Sequence, residues 1–224
     1  FESSAALSTR THADETASDN APEAPANDTQ EATSIWSAPL RKRTLALCTV
    51  WFCINLSYYG AFIWIPSLLS AQGFSLVKSF AFTLIMTLAQ LPGYAVAAYL
   101  IEKWGRRATL AVFLAGSAGA AVCYGLSHSD FYIILSGCFL SFFNLGAWGA
   151  LYAISPEVFP TRLRGTGTGT AAGLGRIASI LAPLIVPPLI SFGGTGVLFA
   201  VFAAAFLIAA ITTFALPEKR GKSL

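Results

Sequence analysis

Residues 166–190 read TGTGTAAGLGRIASILAPLIVPPLI, a stretch of 25 residues in which Arg176 is the only charged side chain. A helix rises about 1.5 Å per residue, so the stretch can cross a bilayer core of about 30 Å, and Arg176 then lies about 15 Å deep. A cation at that depth is costly unless it faces a protein interior or a water-filled cavity, and such residues mark pathways for polar solutes. The segment predicts a membrane protein and favours a carrier.

The composition of the whole chain agrees with this interpretation. Hydrophobic residues make up 55% and charged residues 11% of the 224 residues, and the mean hydropathy is +0.63. These values exceed what a soluble globular domain shows. The predicted fold class is therefore an all-α membrane protein, with a transmembrane bundle over residues 41–216. Its six spans are expected at about residues 45–69, 79–100, 108–126, 131–154, 166–190 and 197–216.

The connections between the spans differ sharply in positive charge. Eleven Lys and Arg residues fall on one predicted side of the membrane, and Lys78 alone falls on the other. Because positive loops are retained in the cytoplasm, we expect a multi-pass protein of the plasma membrane with both ends cytoplasmic. Residues 1–40, with seven acidic residues and no apolar periodicity, predict a disordered cytoplasmic linker, and residues 217–224 predict a cytoplasmic tail.

Four hydrogen-bonding side chains are predicted near the middle of the membrane. Asn55 and Gln90 lie about 15 and 17 Å into their spans, at the level of Arg176, and Asn144 lies about one turn away. Aromatic residues share their helix faces, which suits a planar solute. For the two asparagines an interhelical hydrogen bond is the alternative, and for the aromatics simple packing between helices is. The candidate substrate-binding residues are Arg176, Asn55, Tyr58, Tyr59, Gln90, Asn144 and Trp148.

Other functional classes find little support in the sequence. The four cysteines lie inside spans without a C-x-x-C pair, so neither a metal site nor a cofactor is predicted. The spans hold no paired acids and no Ser–His arrangement, which argues against an enzyme. The basic residues 41–43 abut the first span and are expected to anchor it to the lipid bilayer rather than to bind nucleic acid.

Glycines give the span with Arg176 a second feature. Gly165, Gly169 and Gly173 recur at every fourth position. This spacing places them in one row on the helix surface, where another helix can approach closely. We expect a helix–helix contact along this row.

Three charged motifs follow one another in the predicted cytoplasmic connections. They are IEKWGRR at 101–107, PEVFPTRLRG at 156–165 and PEKRGKSL at 217–224. Together they resemble the major facilitator superfamily, and the last two resemble its branch of sugar porters, vesicle-protein-like carriers and metabolite:proton symporters that include niacin transporters. The resemblance implies the C-terminal six-helix bundle of a twelve-helix alternating-access transporter, with an N-terminal six-helix half as its partner.

The resemblance also bears on the substrate and on energy coupling. The paired glutamines typical of sugar carriers on the first span are absent from residues 51–60, so an organic anion such as an aromatic carboxylate is favoured over a hexose. The family implies a coupling proton, whose carrier group would lie in the other half. The partner of Arg176 is left open between the substrate, an acidic residue of that half, and water or backbone carbonyls.

The motif loops imply an ion-pair latch that breaks when the cytoplasmic side opens. A sugar porter and a non-transporting sensor or scaffold remain alternative functions. The residues expected to form the latch are Glu102, Arg106, Arg107, Glu157, Arg162 and Arg164.

Overall fold

The computed structural model describes residues 34–218, and within them all regular structure is helical. The predicted linker lies mostly outside the described residues, as does most of the predicted tail. The helices are α1 Ala38–Ala71, α2 Leu76–Leu88, α3 Gln90–Trp104, α4 Arg106–Leu126, α5 Asp130–Ile154 and α6 Arg164–Thr213, with the 3-10 helices Ser155–Glu157 and Thr161–Leu163.

The ends of α1 follow from local sequence. Pro39 lies in the first turn, where its missing N–H takes nothing from the helix and its fixed φ suits a helix start. At the other end the Phe74 N–H donates to the Leu69 carbonyl, and the Gly73 N–H donates to the Ser70 carbonyl. This pair of bonds is the Schellman motif, which satisfies the last carbonyls of a helix.

α2 and α3 together form one apolar stretch that is interrupted at Ala89. Pro92 has no N–H for the carbonyl of Leu88, four residues earlier, so the regular ladder of helical bonds fails at this point. The backbone of Ala89 keeps right-handed helical angles, with φ −63° and ψ −13°. The chain therefore continues across the membrane, and Gln90 is the first residue beyond the interruption.

α6 covers two of the predicted spans. It runs for 50 residues, but Gly193 and Gly194 depart from helical angles, and Gly194 has φ 69°. A positive φ of this kind is readily adopted by glycine, which lacks a Cβ. We call residues 164–192 the first limb of α6 and residues 195–213 its second limb. The described chain thus has five apolar helical stretches of membrane-spanning length, the last of them broken into two limbs.

Contacts between helices fix their relative directions. Asn55 on α1 meets Ser179 on the first limb, while Ser57, two residues further along α1, meets Phe202 on the second limb. Because residues 179 and 202 lie at similar heights along α1, the two limbs run in opposite directions. α4 packs against α5 and α6, and α3 packs against α5. Between them lies an apolar core whose largest fully buried side chains include Phe113, Phe199, Phe202 and Phe206.

Candidate functional site

Aromatic rings form a continuous group in the middle of the bundle. Trp148 and Tyr152 on α5 lie side by side, with ring centroids 5.5 Å apart and planes 27° from parallel. Trp51 on α1 meets both of them edge-on, at 5.7 and 5.3 Å, and Tyr58 meets Trp148 edge-on at 5.9 Å. Such edge-to-face and offset geometries are the favourable ones for aromatic pairs. We call these four residues the aromatic cluster.

The aromatic cluster extends from the core to an open surface. Trp51 and Trp148 are 2% and 4% exposed, whereas Tyr152 is 52% exposed. Tyr152 therefore presents an aromatic ring at the surface, Tyr58 is partly buried beside it, and the two tryptophans pack behind them. Sequence reasoning placed Tyr58 and Trp148 in the candidate site. Trp51 and Tyr152 were not among the predicted site residues, because spacing alone does not show which rings touch across helices.

Arg176 lies beside this surface. It is twelve residues into α6, about 18 Å along the helix. Its side chain is exposed, and its Nη1 donates a hydrogen bond of 3.2 Å to the hydroxyl of Tyr59. The Tyr59 ring in turn lies 5.3 Å from that of Tyr58, in the aromatic cluster. Within residues 34–218 no carboxylate pairs with Arg176, so most of the five guanidinium donors are left for another group.

Gln90 joins the same region from the interrupted span. It is 8% exposed, and its side-chain amide lies close to the Tyr58 hydroxyl. Tyr94, one turn further along α3, is 43% exposed and packs against Gly149 on α5. The structure thus brings five of the predicted residues together. They are Arg176, Tyr58, Tyr59, Gln90 and Trp148, and their role in substrate binding stays a prediction.

Asn55 lies near this group but faces the protein interior. It is 1% exposed, its Nδ2 donates to the Trp51 carbonyl at 2.8 Å, and its Oδ1 accepts from the Ser179 hydroxyl at 2.9 Å. Both ends of the amide are therefore bonded within the bundle. The geometry favours the alternative of an interhelical hydrogen bond, which ties α1 to the first limb of α6.

Asn144 is also removed from the open surface. It is fully buried, and neither its Nδ2 nor its Oδ1 has a hydrogen-bond partner in the described chain. The Ser141 hydroxyl, one turn earlier on α5, is likewise buried without a partner. The prediction of depth did not reveal which way the side chain turns, since Asn144 points into the core. Contact with a substrate at the open surface would require a rearrangement, and that role stays a prediction.

A second set of polar contacts lies at the end of the bundle that carries the three charged motifs. We call it the motif end. Arg106 Nε lies 3.0 Å from Glu157 Oε1, with the two side chains 32% and 12% exposed. The N–H does not point at the carboxylate, so the contact is an ion pair without a directed hydrogen bond. It joins the start of α4 to the 3-10 helix after α5.

Glu218 completes this network and was not among the predicted site residues. Its Oε2 accepts the backbone N–H of Arg107 at 3.2 Å, and the Arg107 guanidinium donates to the Leu216 carbonyl at 3.4 Å. A carboxylate at the first turn of α4 satisfies a free N–H and interacts favourably with the helix dipole. Gly105, with φ 92°, leaves the space, because a Cβ there would lie 2.8 Å from Glu218 Oε1. In the sequence, Glu218 belongs to the charged motif at 217–224, which indicated that this residue could have a role.

The remaining residues predicted for the latch also lie at the motif end. Glu102 is exposed and has no ion pair among residues 34–218. Arg162 lies in the second 3-10 helix. Arg164 begins α6, and its Nε is buried without a hydrogen-bond partner in the described chain. A latch role for these residues stays a prediction.

At the opposite end of the bundle an ion pair joins α2 to α5. Lys78 Nζ lies 2.8 Å from Asp130 Oδ2 and also over the ring of Phe74 at 4.9 Å. Both charged side chains are about half exposed, so the pair contributes little stability. In the described part of the chain no group of three or more His, Cys, Asp and Glu residues is placed to hold a metal ion.

The sequence matches one protein family along nearly its whole length. The family is described as sugar (and other) transporter, and the match covers residues 2–224. The chain belongs to this family. The resemblance to the major facilitator superfamily that the three motifs indicated is thereby confirmed.

Named relatives narrow the branch. The chain is 49% identical over 180 residues to a putative niacin/nicotinamide transporter of Bacillus subtilis, a match that covers 79% of this chain and 44% of that protein. It is 46% identical over 192 residues to a niacin transporter of Acinetobacter baylyi, covering 85% of this chain and 44% of that one. A synaptic vesicle 2-related protein of Bos taurus is 26% identical over 215 residues, covering 85% and 38%. The chain spans less than half the length of these relatives.

Proposed function

We propose that this chain forms the C-terminal bundle of an alternating-access carrier for a small organic anion, in the class of aromatic carboxylates. The observation that carries the proposal is Arg176. It is an exposed cation in the middle of an apolar helix, without a carboxylate partner in residues 34–218, directly beside a surface of aromatic rings. A charge at this depth is stabilised by a counter-charge, and a bound anion supplies one.

The chemistry of the site suits an aromatic carboxylate. A guanidinium presents a planar fork of donors that matches the two oxygens of a carboxylate. The Tyr58 and Tyr152 rings and the Gln90 side chain offer stacking and one further hydrogen bond within the same region. Two relatives that are 49% and 46% identical carry niacin in their names, and niacin is an aromatic carboxylate. We therefore infer a substrate of this kind.

The open surface is the proposed interface with an N-terminal bundle. Arg176 and Tyr94 are exposed in this chain although they lie well inside apolar helices, and Tyr152 is exposed near the end of α5. Relatives more than twice as long as the matched region have room for a second bundle. Substrate held between two such bundles at mid-membrane depth is the arrangement found in carriers of this kind. On its own, this chain is expected not to transport.

The described spans contain no group suited to carrying a proton across the membrane. The carboxylates of Glu102, Asp130, Glu157 and Glu218 all lie at helix ends, and His128 lies in a connection between helices. We infer proton symport, with the titrating group contributed by the other half.

The motif end is proposed to face the cytoplasm because it carries the positive charge. Its ion pair between Arg106 and Glu157 is proposed to stabilise the state in which that side is closed.

The test is uptake by the full-length protein in proteoliposomes. Nicotinate, benzoate and glucose are supplied with and without an inward proton gradient, and external pH is recorded. We expect gradient-stimulated uptake of nicotinate or benzoate with alkalinisation of the medium. Glucose uptake alone would instead support a sugar porter. Saturable nicotinate binding without flux would support a sensor, and uptake without alkalinisation would refute proton coupling.

A further inference from the structure

We infer that Trp51 is a positioning residue that connects the level of Arg176 to the Arg106–Glu157 ion pair at the motif end. The inference rests on the proposed function, since it concerns how the binding region and the gate of that carrier act together. Three successive contacts carry it, and each involves side chains that are buried or tightly packed.

The first contact joins Trp51 to the limb that carries Arg176. Gly175 precedes Arg176, and a Cβ at Gly175 would lie 2.6 Å from Asn55 Nδ2 and 3.2 Å from Trp51 Cε3. These distances leave no free space between the first limb of α6 and the indole. Because close-packed interiors transmit displacement rather than absorb it, a shift of the limb at Arg176 must also move the indole of Trp51.

The second contact joins Trp51 to the end of α5. The indole Nε1 donates to the Ser155 hydroxyl at 3.0 Å, across 104 positions of sequence. Trp51 is 2% exposed and Ser155 is fully buried, and the Ser155 hydroxyl itself donates to the Leu151 carbonyl. The indole N–H is a donor only, and a buried donor left unpaired is costly. Trp51 and Ser155 are therefore expected to move as one unit.

The third contact leads from Ser155 to the gate. Ser155 begins the single 3-10 turn Ser155–Glu157, so the hydroxyl held by Trp51 and the carboxylate held by Arg106 lie two residues apart. On the other side of the turn, Val158 and Phe159 are each 1% exposed and fixed in the core. A displacement of Ser155 therefore reaches Glu157 and changes its distance to Arg106.

Ring packing alone does not account for this arrangement. The edge-on contacts of Trp51 with Trp148 and Tyr152 need an aromatic ring, which phenylalanine also provides. The N–H of Trp51 serves only the bond to Ser155. Trp51→Phe thus keeps a ring and removes the connection, and Ser155→Ala removes the connection from the other side. Trp64, on the same helix, has a buried indole N–H without a partner in the described chain, so Trp64→Phe is a matched control.

The experiment is a double-mutant cycle in the ligand-free full-length protein in nanodiscs. A single cysteine replaces Thr166, which is exposed at the motif end, and Cys48, Cys53, Cys123 and Cys138 are changed to alanine. The rate of thiol labelling reports how often the motif end is open. We expect Trp51→Phe and Glu157→Gln each to raise the rate at least threefold, and the double variant to label no faster than the faster single one.

Ser155→Ala is expected to reproduce the effect of Trp51→Phe, and Trp64→Phe to label at the original rate. Effects of Trp51→Phe and Glu157→Gln that multiply would show independent actions and overturn the inference. So would a Ser155→Ala variant that labels at the original rate. The labelling experiment needs no ligand, so it is independent of the proposed substrate. If the effects of Trp51→Phe and Glu157→Gln multiply in a protein that takes up nicotinate, only the connection through Trp51 is refuted. If the two effects do not multiply but nicotinate is not taken up, only the proposed substrate is refuted.

Discussion

Asn55 and Asn144 show how two like residues at similar depth serve different purposes. Asn55 bonds at both ends of its amide within the bundle, whereas Asn144 is equally buried and bonds at neither end in the described chain. A satisfied buried amide stabilises a membrane bundle by about 0.6 kcal/mol, reaching about 1.7 kcal/mol in the best cases. A buried amide without hydrogen-bond partners destabilises the folded protein by about 1–3 kcal/mol.

Leucine substitutions separate the two roles. Asn55→Leu should destabilise the full-length protein by about 1 kcal/mol because it breaks the link to Ser179. Asn144→Leu keeps a similar volume without the unpaired polar atoms, and should be neutral or stabilising by about 1 kcal/mol. The midpoint of unfolding in SDS, followed by far-UV circular dichroism, measures both. An Asn144→Leu variant less stable than Asn55→Leu would contradict this account and show that Asn144 has a partner.

At this scale the sequence predicted depth better than direction. Residue counting from the span ends placed Asn55, Gln90 and Arg176 at one level. The contact of Asn55 with Ser179 on α6, and the closeness of Gln90 to Tyr58 on α1, agree with that common level. It did not reveal that the asparagines turn inward. Rotation of a helix about its axis is set by the packing of its neighbours, and with glycine and alanine on several faces the apolar pattern left that rotation undetermined.

At the scale of elements, the interruption of α2 and α3 is the feature nearest to the site. It falls at Ala89, before Gln90, and Pro92 explains it through the missing N–H. The helix through Pro183 in α6 shows no such break. Sequence patterns predicted a single span over residues 79–100, because proline in a membrane helix is often accommodated when neighbours satisfy the freed carbonyl.

Pro92→Ala tests whether the interruption positions Gln90. Alanine restores the N–H that the Leu88 carbonyl lacks, so α2 and α3 should become one regular helix and Gln90 should turn away from Tyr58. We expect nicotinate affinity to fall about tenfold while thermal stability is kept or raised. Equilibrium binding to the full-length protein measures the affinity, with Pro183→Ala as the matched control. Unchanged affinity in Pro92→Ala would show that the interruption has no part in the site.

The break in α6 was predictable for a different reason. Residues 191–196 separate two apolar stretches that are together too long for one span, so a turn was expected there. The structure places it at Gly193 and Gly194. By contrast, the contact of Glu218 with the start of α4 joins residues 111 positions apart, and local patterns carry no information about such a pair. The motif that contains Glu218 could be recognised in the sequence, but its contact with Arg107 could not.

For the molecule as a whole, the motifs predicted the superfamily and the hydropathy predicted the helices. A Cβ added at Gly165, Gly169 or Gly173 would meet no neighbouring helix within 4 Å among residues 34–218. Together with exposed Arg176 this row of glycines marks a face of α6 that is open here. Nothing in the sequence could specify what lies against that face, and the N-terminal bundle is the partner proposed for it. The proposal for the substrate therefore depends on the chemistry of this one face of α6.

The central claim is that Arg176 binds the carboxylate of the substrate, and selectivity between nicotinate and nicotinamide tests it most directly. The two ligands share a ring and differ in charge, so the preference isolates the guanidinium. In the full-length protein we expect binding to favour nicotinate at least tenfold, equivalent to about 1.4 kcal/mol. Arg176→Gln should abolish that preference, and Arg176→Lys should retain part of it. An Arg176→Gln variant that still prefers nicotinate tenfold would contradict the assignment.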